Sequence, residues 1–265
     1  MITSSTGPAE IVLVRHGESL GNVADREARG RRALRIDVPA RDADVELSPT
    51  GEHQADAVGA HLARLASDAT PTAVLSSPYR RARATAERAL ATWPDAPPLR
   101  LDERLREREL GAFDGLTGYG ITAEHPDEAA RREHLGKFYY RPPSGESWCD
   151  VALRVRSLLA DARFDHDGAR LWVFSHQAVI MAFRVVLEGL SESEVLDLDR
   201  SAPLANCSLS TYRRGASGAL ELVEAGSTEA VDASPAPVTR EDEPIDAAVD
   251  GGAAQPVDST AGQAS

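Results

Sequence analysis

The stretch Ile11-Val12-Leu13-Val14-Arg15-His16-Gly17-Glu18-Ser19 decides how this chain folds. An apolar run rich in β-branched residues breaks off at a cation, an imidazole and a glycine. Such a run has the composition of a strand buried on both faces, as in a parallel sheet. Ligands of open parallel sheets sit beyond the carboxyl ends of the strands. His16 is therefore expected at the mouth of a site, with Arg15 beside it and the flexible Gly17 next. A histidine and a guanidinium delivered together suit an anion, most naturally a phosphate.

Further strands and helices follow in alternation. Thr72-Ala73-Val74-Leu75 has the pattern of a second strand running into Ser76-Ser77-Pro78, and Leu171-Trp172-Val173-Phe174 that of a third, ending at Ser175-His176. After Ser48-Pro49-Thr50 the residues Ala55, Val58, Leu62 and Leu65 fall on one helical face. Residues 79–90 predict a helix ended before Pro94. Residues 150–162 predict another, with Val151, Val155, Leu158 and Leu159 inward, and 178–187 an apolar one. Residues 207–212 and 219–223 close the domain as a strand pair, whereas 22–46 is polar and arginine-rich. There are no internal repeats. The alternation implies an α/β fold, a three-layer αβα sandwich around a mostly parallel sheet.

Composition divides the 265 residues near Ala225. Residues 1–225 are expected to form the folded domain. Residues 226–265 lack aromatic residues and apolar periodicity, and eight acids there face the single base Arg240. That segment carries −7 of the total −13, leaving −6 on the remainder. It reads as a disordered acidic tail, unable to bury enough apolar surface to offset its ordering entropy. The negative total argues against a nucleic-acid backbone or an anionic membrane as partner. Cys149 and Cys207 lie far apart and form no metal-ligand pattern, so a reducing cytoplasm is the simpler expectation. Residues 1–10 lack the basic start and apolar core of a secretion signal. No apolar run approaches the roughly 20 residues needed to span a bilayer.

Strand ends distant in sequence thus present His16, Arg81 and His176, and the loop Leu105-Arg106-Glu107-Arg108-Glu109-Leu110-Gly111-Ala112-Phe113-Asp114-Gly115 adds carboxylates. Four blocks in this order resemble the histidine phosphatase superfamily, also called the phosphoglycerate mutase-like family. They are Arg15-His16-Gly17-Glu18-Ser19 with Asn22; Ser76-Ser77-Pro78-Tyr79-Arg80-Arg81-Ala82-Arg83-Ala84-Thr85-Ala86; Leu105-Arg106-Glu107 followed by Gly111 and Gly115; and Ser175-His176. The resemblance covers roughly residues 10–212. It departs from the common pattern at Gln177-Ala178, where many members carry glycines, and at Asp114, where glutamate is common. Both departures bear on the substrate rather than on the chemistry.

The resemblance implies a metal-independent phosphatase that hydrolyses small phosphate monoesters without a cofactor. A transferring phosphoryl group spreads charge over its equatorial oxygens, and fixed cations stabilise it. Arg15, Arg81 and His176 are expected to supply that charge, with Asn22 and Gln177 as further phosphate ligands. His16 would form a phosphohistidine, and Glu107 would protonate the leaving alkoxide. Glu109 is the alternative acid, and Asn22 has the alternative of ordinary turn chemistry. A narrower match, Phe138-Tyr139-Tyr140-Arg141-Pro142-Pro143-Ser144-Gly145-Glu146-Ser147, ends in a Gly-Glu-Ser turn at a helix start. Ser147 there could bind a second anionic group or merely cap the helix. Arg29, Arg31, Arg32 and Arg35 could form an anion-reading lid or a solvated charge run. Two alternatives stand beside hydrolysis: a phosphoglycerate mutase, which shares the first half-reaction, and a non-catalytic phosphate-binding module, although such modules usually lack the nucleophile or the acid that are present here. The stretch 20–44 does not resemble the tryptophan-containing segment of cofactor-dependent mutases, which favours hydrolysis.

Overall fold

The computed structural model describes residues 6–241. Among these residues the strands β1 (Glu10–Arg15), β2 (Ala73–Ser76), β3 (Leu99–Leu101), β4 (Arg170–Ser175), β5 (Leu209–Arg214) and β6 (Leu220–Ser227) form one sheet. Their order is β3-β2-β4-β1-β5-β6. The first four of these run parallel, and β5 and β6 are antiparallel additions at one edge. The expected mostly parallel sheet is present, made mixed by the antiparallel pair at its edge.

Strand periodicity divides the core in two. Ile11 and Leu13 of β1, with Leu171 and Val173 of β4, pack on one face, while Val12, Val14, Trp172 and Phe174 pack on the other. Successive side chains of a strand point to opposite faces, so an unbroken apolar run needs a cover on both. The first face is covered by α6 (Trp148–Asp165) and α7 (Gln177–Glu188), through residues such as Val151, Val155, Ile180 and Phe183. The second is covered by α2 (Pro49–Arg64) and α3 (Arg80–Leu90), through Val58, Leu62, Ala86 and Ala89. A three-layer sandwich results.

Several elements carry no strong sequence pattern. The polar stretch after the first block contains a helix, α1 (Leu20–Gly30), in which only Asp25 and Ala28 are buried. It is started by a capping box between Ser19 and Asn22 rather than by an apolar stripe. The short helices α4 (Gly118–Glu124) and α5 (Pro126–Leu135) and the helix α8 (Glu192–Ser201) each bury only a few side chains. β3 is a three-residue edge strand.

The expected disordered tail needs correction over its first part. β6 runs through Ser227, and a short helix α9 (Glu229–Asp232) follows. Ala230, Val231 and Ala236 are buried in the same cluster as Val58 and Trp172. Average composition hides these three residues, because a docked segment needs only a few well-placed apolar contacts. The remainder of that expectation, 242–265, lies outside the described residues. No helix among the described residues is long and apolar enough to cross a membrane.

Candidate functional site

Register brings the two histidines together. Arg15 of β1 lies opposite Ser175 of β4, so the next residue of each strand leaves the sheet at the same level. The rings of His16 and His176 are 5.1 Å apart, edge to face. Ser76 of β2 lies opposite Phe174, which delivers Ser77 to the same place, with its Oγ 2.8 Å from His176 Nε2. The turn after His16 is held by neighbouring helices. Gly17 N donates to Thr85 Oγ1 of α3 at 3.0 Å, and Glu18 N to Gln54 Oε1 of α2 at 2.8 Å. This close approach requires glycine at position 51, where a Cβ would stand 1.9 Å from the Glu18 carbonyl oxygen.

The surroundings set the charge states. His16 Nδ1 lies 2.7 Å from the Gly17 carbonyl oxygen. A carbonyl only accepts, so Nδ1 carries the proton and the neutral ring keeps its lone pair on Nε2. Burial, then the nearby Arg81 and Arg15, hold the His16 pKa well below its ordinary value. Burial, Arg81 and His16 do the same to His176. That direction runs against the expectation of His176 as a fixed cation and favours the neutral imidazole, whose Nε2 lies 2.8 Å from Ser77 Oγ. Glu107 shifts the other way. Burial raises its carboxyl pKa, against the opposing hydrogen bond from Arg108 N and the charge of Arg81.

A pocket of about 310 Å³ is lined by Arg15, His16, Asn22, Arg81, Glu107 and Gln177, and so gathers most of the residues singled out in the sequence. His176 is fully buried against His16. Arg81 is gripped by Asp42, whose carboxylate oxygens lie 2.9 and 3.1 Å from Nη1 and Nη2. Arg15, only 1% exposed, donates to the Leu204 carbonyl and pairs with Glu241 at 2.7 Å. Asn22 Nδ2 donates to the same Glu241 oxygen. Gln177 Nε2 bonds the buried Asp199 at 2.9 Å.

Ser147 is corrected as a ligand. It caps α6, its hydroxyl engaged with Asp150 at 2.7 Å, and it does not line the pocket. The Gly-Glu-Ser turn works through Glu146 instead. That carboxylate accepts from Arg106 at 2.7 Å and from Arg154 at 3.0 Å. Arg154 in turn donates to the carbonyls of Arg104 and Glu107, fixing the loop that carries Glu107. The rival acid Glu109 accepts from Tyr79 Oη at 2.8 Å. The lid arginines do not line the pocket: Arg29 pairs with Asp25, Arg35 with Glu124, and Arg32 lies over the Tyr119 ring. Ile36, Val38 and Ala40 reach the pocket from that segment.

Asp42, Asn206, Arg154 and Glu241 escape sequence reasoning. Asn206 Nδ2 donates to the His16 carbonyl at 3.1 Å. Only Arg154 had a legible cue, the acid of the Gly-Glu-Ser turn. Together the site offers an imidazole whose proton sits on Nδ1, two guanidiniums and a carboxyl whose pKa burial raises.

The sequence matches the histidine phosphatase superfamily (branch 1) over residues 11–225. It is 33% identical over 193 residues to the phosphoglycerate mutase-like protein AT74 of Arabidopsis thaliana, covering 69% of this chain. The match spans only 55% of that relative's length. It is 31% identical to the probable phosphoglycerate mutase GpmB of Photorhabdus laumondii, covering 76% of this chain and 83% of the relative. The fold superposes on a mycobacterial glucosyl-3-phosphoglycerate phosphatase with TM-score 0.65 and 27% identity, covering 83% of this chain and 99% of that structure.

Proposed function

This chain belongs to the histidine phosphatase superfamily, and we propose that it hydrolyses small phosphate monoesters through a phosphohistidine on His16. The observation that carries this reading is the tautomer. A proton fixed on Nδ1 by Gly17 leaves Nε2 as a neutral nucleophile in the pocket that Arg15 and Arg81 line. Nε2 attacks phosphorus and the ester P–O bond breaks. The guanidiniums hold the equatorial oxygens two at a time, helped by Asn22 and the His176 imidazole. Protonated Glu107 gives its proton to the leaving alkoxide. The resulting carboxylate then takes a proton from the attacking water, the N–P bond breaks, and phosphate leaves. The positive charge comes from side chains, so a chelator is expected to leave the rate unchanged. Cys149 and Cys207 are both free thiols, which suits a reducing cytoplasm.

The test is phosphate release from a panel of monoesters, with a chelator present, by the wild-type protein and by His16→Ala. Turnover by wild type and its loss in the variant are expected; release by His16→Ala at the wild-type rate would overturn the reading. The same assay on 3-phosphoglycerate separates the mutase alternative, which yields 2-phosphoglycerate and little free phosphate.

A further inference from the structure

The anion-binding groups of the pocket are already in use by the chain itself. Glu241 pairs with the buried Arg15 at 2.7 Å, and its same oxygen accepts from Asn22. Both partners are among the expected phosphate ligands. The carboxylate is delivered by a built anchor. Ala230, Val231 and Ala236 dock in the core beside α2. Gln54 Nε2 donates to the Pro237 carbonyl at 2.7 Å and to Thr239 Oγ1 at 2.9 Å. Asn206 N donates to the Thr239 carbonyl at 2.9 Å, and Thr239 Oγ1 donates to Asn206 Oδ1 at 2.9 Å. Thr239 is thus pinned two residues before Glu241. A buried guanidinium without a counter-charge is costly, and this anchor holds one against it at high effective concentration.

We propose that residues 228–241 are an intramolecular competitor of substrate, with the Glu241 carboxylate seated on Arg15 and Asn22 where phosphate oxygens bind. The proposal rests on the reading of this pocket as a phosphate site. Substrate and Glu241 exclude each other, so the apparent affinity for phosphate is scaled by the fraction of molecules whose Glu241 has left. A swing of Arg240 and Glu241 suffices to free Arg15 and Asn22, because Thr239 can keep its bonds. Asn206 links the two states to the chemistry, since it anchors Thr239 through its Oδ1 and holds the His16 carbonyl through its Nδ2.

The experiment is calorimetric titration of the full chain with inorganic phosphate, together with KM and kcat for one accepted monoester. Glu241→Ala removes the competing carboxylate, and Thr239→Val removes the hydroxyl bonds of the anchor. Glu241→Ala is expected to bind phosphate about tenfold or more tightly, the scale of one charge-assisted contact, with KM falling in parallel. Thr239→Val is expected to move in the same direction by less. Unchanged or weaker phosphate binding by Glu241→Ala would overturn the proposal, as would a fall in kcat without a fall in KM. Tighter phosphate binding by a protein that hydrolyses no ester would leave the competitor in place and sink the hydrolase reading instead. Absence of phosphate binding by all three proteins would sink both.

Discussion

A histidine that attacks phosphorus must be neutral and must present one particular nitrogen. Burial and two neighbouring guanidiniums supply the first condition at His16, and the Gly17 carbonyl supplies the second. The same surroundings give a pH profile with a definite sign. His16 and His176 have pKa values well below the usual 6.5, so kcat/KM should persist as pH falls through 6.5. Burial raises the Glu107 pKa above 4.5; if it acts as the proposed general acid, the rate should decline on the alkaline side as its proton is lost. Glu107→Gln should lower kcat by roughly 10²–10⁴ and remove the alkaline limb. The loss should be smaller for esters of acidic alcohols, whose alkoxides need no proton; a uniform loss across leaving groups would assign Glu107 another task. At this scale the sequence exposed His16, Arg15, Arg81 and His176 because each sits beside a strand end or in a matched block. It did not expose Asp42 or Asn206, since one acid among several in a polar stretch and an asparagine in a turn have no distinguishing pattern.

Elements hold these residues in place through a few close approaches. Gly51 lets the start of α2 touch the Glu18 carbonyl. Gly51→Ala should therefore destabilise by about 1–3 kcal/mol, as overpacking against backbone does, although alanine is the better helix former by about 1 kcal/mol. Activity should fall with it, because the shifted residue is two positions from His16. A rise in thermal midpoint would contradict this packing. α9 makes a comparable contact on the second face of the sheet. Val231 is fully buried there, so Val231→Ala should cost about 2 kcal/mol in denaturant titration. A segment without docked structure would show no change. Strongly periodic elements, the core strands and α2, α6 and α7, were legible because burial writes itself into their sequences. α1 and α9 were not, since α1 is set by a cap and α9 by two apolar residues in an acidic context.

For the whole molecule, the burial that prepares the site also couples stability to pH. In the unfolded chain His16 and His176 take up protons below about pH 6.5, while burial and the nearby arginines oppose that uptake in the folded protein. The unfolded state then binds more protons, so stability falls as pH drops below 6.5. Glu107 and Asp25, whose folded pKa values are raised, have the opposite sign: their contribution is present at acid pH and lost as pH rises through those values. They offset part of the histidine effect. Between pH 7.5 and 5.5 the protein should lose about 1–2 kcal/mol, and His16→Ala should show a shallower slope in urea midpoints. An identical slope would mean that His16 is not held neutral. Domain class and sheet character followed from alternating patterns spread along the chain, whereas the return of residues 228–241 to the pocket depends on tertiary contacts that no local pattern encodes.

Nucleophilic attack by His16 would leave a covalent phosphoryl group on one ring nitrogen. Rapid mixing with a monoester labelled on phosphorus, a denaturing quench and peptide mapping test it directly. An acid-labile label on the peptide containing His16, absent in His16→Ala, is expected. Turnover with no label at His16, or equal labelling of the variant, would contradict it.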